Sequence, residues 1–72
     1  MSNFLYIVEI ERKSKTQVFS VRSISQGNEL ARIYWYEAWR QYVLETENGT
    51  IWSDGCLKEI VKFLEKLRED RK

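Results

Sequence analysis

The chain has one cysteine, Cys56, and no histidine in 72 residues. A disulfide within the chain is therefore impossible, and a structural zinc site lacks its usual ligands. A domain of this length buries only roughly 60% of the surface that its unfolded chain exposes, so its core is small. Dense aromatic packing or self-association must add to the stability. We therefore expect one domain without a metal or other cofactor, and we expect it to form a homodimer.

The charge distribution gives no strong pull towards nucleic acid or an anionic membrane. The net charge is +1, and acidic and basic residues are interspersed along the chain, so a basic site must be local. The longest apolar run, residues 4–8, is far shorter than the ~20 residues that span a bilayer. The start of the chain lacks the pattern of a signal peptide. We expect a cytoplasmic protein that does not enter a membrane.

Two segments near the start alternate in the manner of strands. Residues 4–12 begin apolar on both faces and end in alternation, and residues 17–24 alternate apolar with polar side chains. The polar stretch between them predicts a hairpin. A break follows at residues 25–28, which contain Gly27 and Asn28, because both residue types tolerate the positive φ that many turns require.

The segment from 30 to 45 fits both the periodicity of a strand and that of a helix. As strands, residues 31–36 and 39–46 are rich in aromatic and β-branched residues. Downstream, Asn48-Gly49 before residues 50–53 has the form of a hairpin turn, which makes residues 42–46 a strand. We therefore prefer strands, with 50–53 as a fifth. As a helix, the segment would form one apolar stripe from Ala31, Tyr34, Trp35, Ala38, Trp39 and Tyr42.

The last element is a helix over residues 54–69. Ser53 or Asp54 can cap its N-terminus. Its apolar residues recur at helical spacing, and they are Leu57, Ile60, Val61, Leu64 and Leu67. The sequence thus predicts an α+β domain, in which an antiparallel sheet of four to five strands is followed by one C-terminal helix packed on a single face.

Part of the chain resembles short proteins encoded by bacteriophages and prophages. The resemblance runs through Arg32–Tyr42, then Thr50–Ser53, then the helix that opens with Cys56-Leu57. Members of that group often carry Gly or Pro near the position of Glu37 and Ala38, which this sequence lacks. The resemblance implies a phage context, in the cytoplasm of an infected or lysogenic host cell, and no particular activity.

One cluster combines aromatic rings with guanidinium groups: Arg32, Tyr34, Tyr36, Trp39, Arg40 and Tyr42. Alternation places Arg32, Tyr34 and Tyr36 on one face of their strand. Ile33 and Trp35 then share the opposite face. An exposed sheet of this kind suits single-stranded nucleic acid, because bases stack on the rings and guanidinium groups reach phosphates. Single-strand binders of the whirly type share this order of elements, an analogy at fold level.

The same residues also fit a second interpretation. Tyr, Trp and Arg are enriched in protein interfaces, so the cluster could form core, a homodimer interface or a site for a host protein. Further basic groups, Lys13 and Lys15 at the first hairpin with Arg22 on the second strand, could clamp phosphates or simply keep the hairpin solvated. Salt dependence separates the two interpretations, because binding to nucleic acid weakens steeply with salt.

An enzyme is the class that the sequence supports least. Cys56 would lie in the first turn of the helix, where the backbone dipole favours a thiolate, but the chain has no histidine to act as its base. Cys56 is better explained as a small buried hydrophobic residue. We therefore predict a non-enzymatic protein that binds single-stranded nucleic acid, or alternatively a protein-interaction module.

Overall fold

The structure, a computed structural model, describes residues 4–70. Four strands precede one helix: β1 Leu5–Arg12, β2 Gln17–Ser23, β3 Glu29–Tyr36, β4 Gln41–Thr46 and α1 Asp54–Asp70. The strands form one antiparallel sheet in the order β1-β2-β3-β4, so every strand pairs with its neighbours in the sequence. The predicted α+β domain, with an antiparallel sheet followed by a C-terminal helix, is confirmed.

The core lies between α1 and one face of the sheet. Val21 pairs with Ala31, and Phe19 pairs with Ile33, so apolar side chains of β2 and β3 lie side by side on that face. Val21, Ala31 and Ile33 are fully buried. The face of the sheet away from α1 is called the open face below. The buried cluster comprises Leu5, Phe19, Val21, Ala31, Ile33, Ile60 and Leu67.

The ambiguous segment from 30 to 45 forms strands. Its chain reverses in a tight turn, where Trp39 N–H donates to the Tyr36 carbonyl and Arg40 N–H donates to the Glu37 carbonyl, each at 3.2 Å. β4 begins at Gln41, two residues later than the predicted start at 39. The physical reason is the backbone of Arg40, whose φ of 53° lies in the left-handed region and cannot continue a strand.

The fifth strand predicted at residues 50–53 is absent. The turn at Asn48-Gly49 does form, with Gly49 at φ 80° and Thr50 N–H donating to the Glu47 carbonyl at 3.3 Å. Beyond it the chain directs Trp52 towards the core, where the indole N–H donates to the Thr50 hydroxyl at 2.9 Å. This large ring packs against the core, where residues 50–53 would otherwise form a short strand at the edge of the sheet.

Ser53 is the N-cap of α1. Its hydroxyl accepts a hydrogen bond from Cys56 N–H at 3.2 Å, and its carbonyl accepts one from Leu57 N–H at 3.0 Å. The two bonds satisfy amide groups that a helix N-terminus leaves without a partner inside the helix. Within residues 4–70, no helix has the length and apolar character needed to cross a membrane.

The stripe of α1 that meets the sheet is rotated from the predicted one. Phe63 packs edge-on against Phe19 with ring centroids 5.0 Å apart, which turns the helix and carries Leu57 and Val61 away from the sheet. These two residues, predicted as core, are 46% and 52% exposed. The side chains that contact the core from α1 are Cys56, Ile60, Phe63, Leu64 and Leu67.

Candidate functional site

The centre of the open face carries an arginine that is already neutralised. Arg32 Nε–H donates to a Glu29 carboxylate oxygen at 3.0 Å. The buried hydroxyl of Ser20 donates to the other carboxylate oxygen at 2.6 Å. This hydroxyl hydrogen bond lowers the pKa of Glu29, burial opposes it, and Arg32 lowers the pKa further. Glu29 is therefore ionised at neutral pH, and Arg32 adds no net positive charge there.

Tyr34 on the open face is also engaged with an acid. Its hydroxyl donates to the Glu45 carboxylate at 3.2 Å. This hydrogen bond, with a smaller effect of desolvation and of the carboxylate charge, raises the pKa of Tyr34. A carboxylate beside the ring repels a phosphate, so the middle of the open face is poorly suited to a polyanion.

The β3–β4 turn presents a second aromatic surface. Tyr36, at the end of β3, and Trp39, in the turn, meet edge to face with ring centroids 5.1 Å apart and an interplanar angle of 89°. Tyr36 is 39% exposed and Trp39 is 67% exposed. A large indole ring held in place by its neighbour but open to solvent is a platform on which a flat ring can stack. We call it the Tyr36–Trp39 pair.

On the helix side of the same turn, two more rings line a cleft. Trp35 and Tyr42 are cross-strand partners, and their rings meet edge to face at 5.5 Å. The cleft has a volume of about 200 Å³, below the roughly 300–1,000 Å³ of pockets for drug-sized ligands, so it suits a phosphate or a small planar group. The residues that line this arginine cleft are Trp35, Arg40, Gln41, Tyr42 and Arg68.

The two arginines of this cleft differ from the other arginines of residues 4–70. Arg12 pairs with Glu9, Arg32 pairs with Glu29, and the Arg22 guanidinium donates to a backbone carbonyl. Within the described chain, Arg40 and Arg68 make neither an ion pair nor a side-chain hydrogen bond. Both are available to bind an anion, and both line the same cleft.

The other basic residues singled out in the sequence divide between the two ends of the sheet. Lys13 and Lys15 lie in the β1–β2 turn, which the meander places at the same end as Arg40. Arg22 lies near the opposite end, where its Nη1–H donates to the Gly27 carbonyl at 2.7 Å. The structure thus brings Lys13, Lys15 and Arg40 to one end and leaves Arg22 apart.

The predicted aromatic cluster is likewise split by the sheet. Tyr34 and Tyr36 lie on the open face, while Tyr42 lies on the helix side opposite Trp35. Tyr42 is half-buried, and its hydroxyl accepts a hydrogen bond from Gln17 N–H at 3.2 Å. Tyr42 therefore lines the arginine cleft on the helix side and does not belong to the open face.

Sequence reasoning missed Arg68 as a site residue. Arg68 follows Leu64 by four residues, so it continues the face of α1 that packs near the sheet, in the last turn of the helix. The sequence signal for this site residue was a basic side chain in the last turn of the helix, on the side that faces the sheet. The helix C-terminus carries partial negative charge, which stabilises a cation there.

Arg40 occupies a backbone conformation that glycine would adopt more easily. Its φ of 53° makes it the non-glycine residue with positive φ in the described chain, a geometry that costs about 1–2 kcal/mol for an L-residue. Glycine removes that strain but adds unfolded-state entropy, so we expect Arg40→Gly to raise the free energy of unfolding by about 0.5 kcal/mol. Urea denaturation followed by tryptophan fluorescence measures the change.

The matched control for this prediction is Ala38→Gly in the same turn. Ala38 has no positive φ, so glycine there only adds unfolded-state entropy and should lower the free energy of unfolding. Equal losses of stability in the two variants would contradict the strain at Arg40. If Arg40→Gly alone raises the free energy of unfolding, the wild-type arginine is retained although it lowers the stability of the fold, as happens at functional positions.

Cys56 is half-buried against the core, under the sheet. In the part of the chain that the structure describes, no group of three or more Cys, Asp or Glu residues is arranged to hold a metal ion. No protein-family model, curated protein or solved structure matches this chain. The β3–β4 turn and the arginine cleft are therefore interpreted from their own geometry and charge.

Proposed function

We propose that this domain binds single-stranded nucleic acid at the β3–β4 end of the sheet, in a non-enzymatic role. The observation that carries the proposal is the convergence of Arg40 and Arg68, neither of which has a partner within residues 4–70, on one cleft with aromatic walls. Guanidinium groups bind phosphate oxygens in a forked geometry, which favours arginine over lysine for this task.

The Tyr36–Trp39 pair supplies the second half of the site. The pair and the arginine cleft lie at the same turn, one on each face of the sheet. Because the two lie on opposite faces, a strand that binds both must pass around the β3–β4 turn, with a phosphate in the cleft and a base on Trp39. Such stacking contributes about 1–3 kcal/mol per base and requires no particular sequence. Duplex nucleic acid keeps its bases stacked on each other, so the single strand is the expected ligand.

The resemblance to phage and prophage proteins supplies the setting of the proposal. In that setting the protein acts in the cytoplasm of an infected or lysogenic host cell, where single strands arise during replication and recombination. Lys13 and Lys15, at the same end of the sheet as the cleft, extend the cationic surface along the path of a bound strand.

The experiment is a titration of the intrinsic tryptophan fluorescence with a single-stranded oligonucleotide. Trp35 and Trp39 lie at the proposed site, so stacking should quench their emission. With two phosphates held by the two arginines, the affinity should fall about sevenfold between about 50 mM and 200 mM salt, from a slope of about 0.7 per contact for single strands. A duplex of the same sequence should bind more weakly.

A second candidate function is a site for another protein, favoured by the exposed apolar side chains of β1. Tyr6, Val8 and Ile10 are 39%, 37% and 44% exposed. Binding through such an apolar surface changes little with salt. Absence of quenching by the oligonucleotide, or quenching that salt leaves unchanged, would contradict the nucleic-acid proposal and direct the search to protein partners.

A further inference from the structure

The open face carries a pocket next to the Tyr36–Trp39 pair. It has a volume of about 280 Å³, close to the lower end of the range for pockets that hold small organic ligands. Its lining combines three aromatic rings, two aliphatic side chains and one carboxylate, and contains no basic residue. The pocket therefore suits a flat, uncharged ring system and does not suit a phosphate. The residues that line this open-face pocket are Tyr34, Tyr36, Trp39, Val43, Leu44 and Glu45.

The strand register orders the open-face pocket from one end to the other. Trp39, in the β3–β4 turn, lies at one end, and Glu45, near the end of β4, lies at the other. Tyr34 and Val43 are cross-strand partners and lie between these ends. Val43 and Glu45 are two positions apart on β4, which is about 7 Å along a strand. The carboxylate is therefore within reach of the edge of a base that contacts the rings.

The Glu45 carboxylate is held by one partner and keeps an oxygen for a ligand. The Tyr34 hydroxyl donates to Oε1 at 3.2 Å, which restricts the orientation of the group. Within residues 4–70, Oε2 accepts no hydrogen bond. Arg32 lies opposite Glu45 in the register, but it is paired with Glu29. Glu45 thus presents hydrogen-bond acceptors to a molecule in the open-face pocket.

Hydrogen bonds at the edge of a base, and not stacking, distinguish the four bases. Stacking tolerates any sequence, because every base has a π-face. An ionised carboxylate only accepts hydrogen bonds, and its two oxygens can accept a parallel pair of them. In a single strand, the Watson–Crick edge of each base is free to make such contacts. A carboxylate in the pocket therefore favours the base that offers two adjacent donors.

Guanine is that base, since its Watson–Crick edge carries the N1–H and the N2 amino group side by side. Adenine and cytosine each offer an amino donor next to an acceptor nitrogen, which a carboxylate oxygen repels. Thymine and uracil offer one N–H donor between two carbonyl oxygens. Of these bases, guanine alone can donate two hydrogen bonds to a carboxylate without placing an acceptor against it.

We propose that the open-face pocket selects guanine from a bound single strand, with the Glu45 carboxylate accepting hydrogen bonds from the N1–H and the N2 amino group. The proposal rests on the binding of single-stranded nucleic acid proposed above and adds a base preference to it. The base contacts the aromatic rings of the pocket, which include Tyr34 and Trp39. The phosphates stay on the side of the arginine cleft, because the carboxylate repels them.

The test compares three single-stranded oligonucleotides that differ at one position. Each is a thymine strand with a central guanine, hypoxanthine or adenine, and hypoxanthine is guanine without the N2 amino group. All three carry the same number of phosphates, so the contribution of the arginine cleft cancels from the ratio of their affinities. We expect the guanine strand to bind about fivefold to tenfold more tightly than the adenine strand, with the hypoxanthine strand between them. Titration of tryptophan fluorescence gives the three affinities.

Glu45→Gln tests the residue that makes the selection. Glutamine replaces one acceptor oxygen with a donor, and so matches the donor and acceptor of adenine better than the two donors of guanine. The ratio of guanine to adenine affinity should fall to about one or below. The matched control is Glu47→Gln, which removes the same charge from an exposed residue outside the open-face pocket and should keep the wild-type ratio. Loss of a negative charge raises the affinity for all three strands alike, which leaves the ratio unchanged.

The outcomes separate this proposal from the function on which it rests. If the three strands bind with equal affinity and with the expected salt dependence, the domain binds single strands but does not select guanine, and the proposal alone is overturned. A guanine preference that survives Glu45→Gln, or that Glu47→Gln abolishes to the same extent, also overturns it. If none of the three strands binds, the base preference and the proposed function fail together.

Discussion

Replacing Ile33 with alanine is expected to remove about 2–5 kcal/mol from the free energy of unfolding. Ile33 is fully buried in the middle of β3, between Phe19 on β2 and Leu44 on β4. Three methylene or methyl groups are lost, and neighbours on two strands cannot move together to fill the cavity. A chain of 72 residues has only about 4–11 kcal/mol of total stability, so much of the Ile33→Ala population should unfold near physiological temperature.

Urea denaturation followed by tryptophan fluorescence and far-ultraviolet circular dichroism measures this effect. Ile51→Ala is the matched control, because the same side chain at position 51 is 94% exposed. Its expected change is within about 0.5 kcal/mol. Similar losses for the two variants would contradict the placement of the core between α1 and the sheet.

The second large effect is expected from the double variant Arg40→Gln/Arg68→Gln. Removing two phosphate contacts should reduce the logarithmic salt slope by about 1.4 and weaken binding to single-stranded oligonucleotide by roughly tenfold to a hundredfold at low salt. Glutamine keeps much of the side-chain length, so the walls of the arginine cleft remain. Fluorescence titration at several salt concentrations gives both the affinity and the slope.

The control double variant is Arg12→Gln/Arg32→Gln, which removes the same formal charge from two arginines already paired with Glu9 and Glu29. We expect it to retain the wild-type salt slope within experimental error. If the two double variants weaken binding equally, general electrostatic attraction and not the arginine cleft holds the strand. That outcome would withdraw the assignment of the site while leaving nucleic-acid binding open.

The sequence was sufficient for the order and type of elements wherever one periodicity stood alone. Alternation identified β1 and β2, and helical spacing with the Ser53 cap identified α1. Both are local signals, because the pattern within one segment determines which face is apolar. The segment from 30 to 45 was harder, since its aromatic residues satisfy both periods. Its preferred assignment as strands is confirmed.

Errors arose where tertiary contacts decide the outcome. The Asn48-Gly49 turn is a local signal for a hairpin, but Trp52 packs against the core and no fifth strand forms within residues 4–70. The rotation of α1 follows from the contact between Phe63 and Phe19, which are 44 positions apart in the printed sequence. No pattern within a single element contains such information.

The candidate site, like the fold, could be predicted from the sequence only in part. The composition of residues 32–42 indicated that their tyrosine and arginine side chains contribute to a binding surface. It did not indicate which of these side chains can bind a ligand, because the pairing of Arg32 with Glu29 and of Tyr34 with Glu45 depends on the strand register. The meeting of Arg68 with Arg40 depends on where α1 ends above the sheet.

The meander order of the sheet also bears on how quickly the chain can fold. Each strand pairs with the one that precedes it, so every hairpin closes a short loop, and the entropy lost at each closure is small. Such low contact order favours rapid folding. A chain emerging from a ribosome could add β2 to β1, then β3, then β4, in the order of synthesis. Docking of α1 comes last, and until it occurs the apolar face of the sheet is open to solvent and to aggregation.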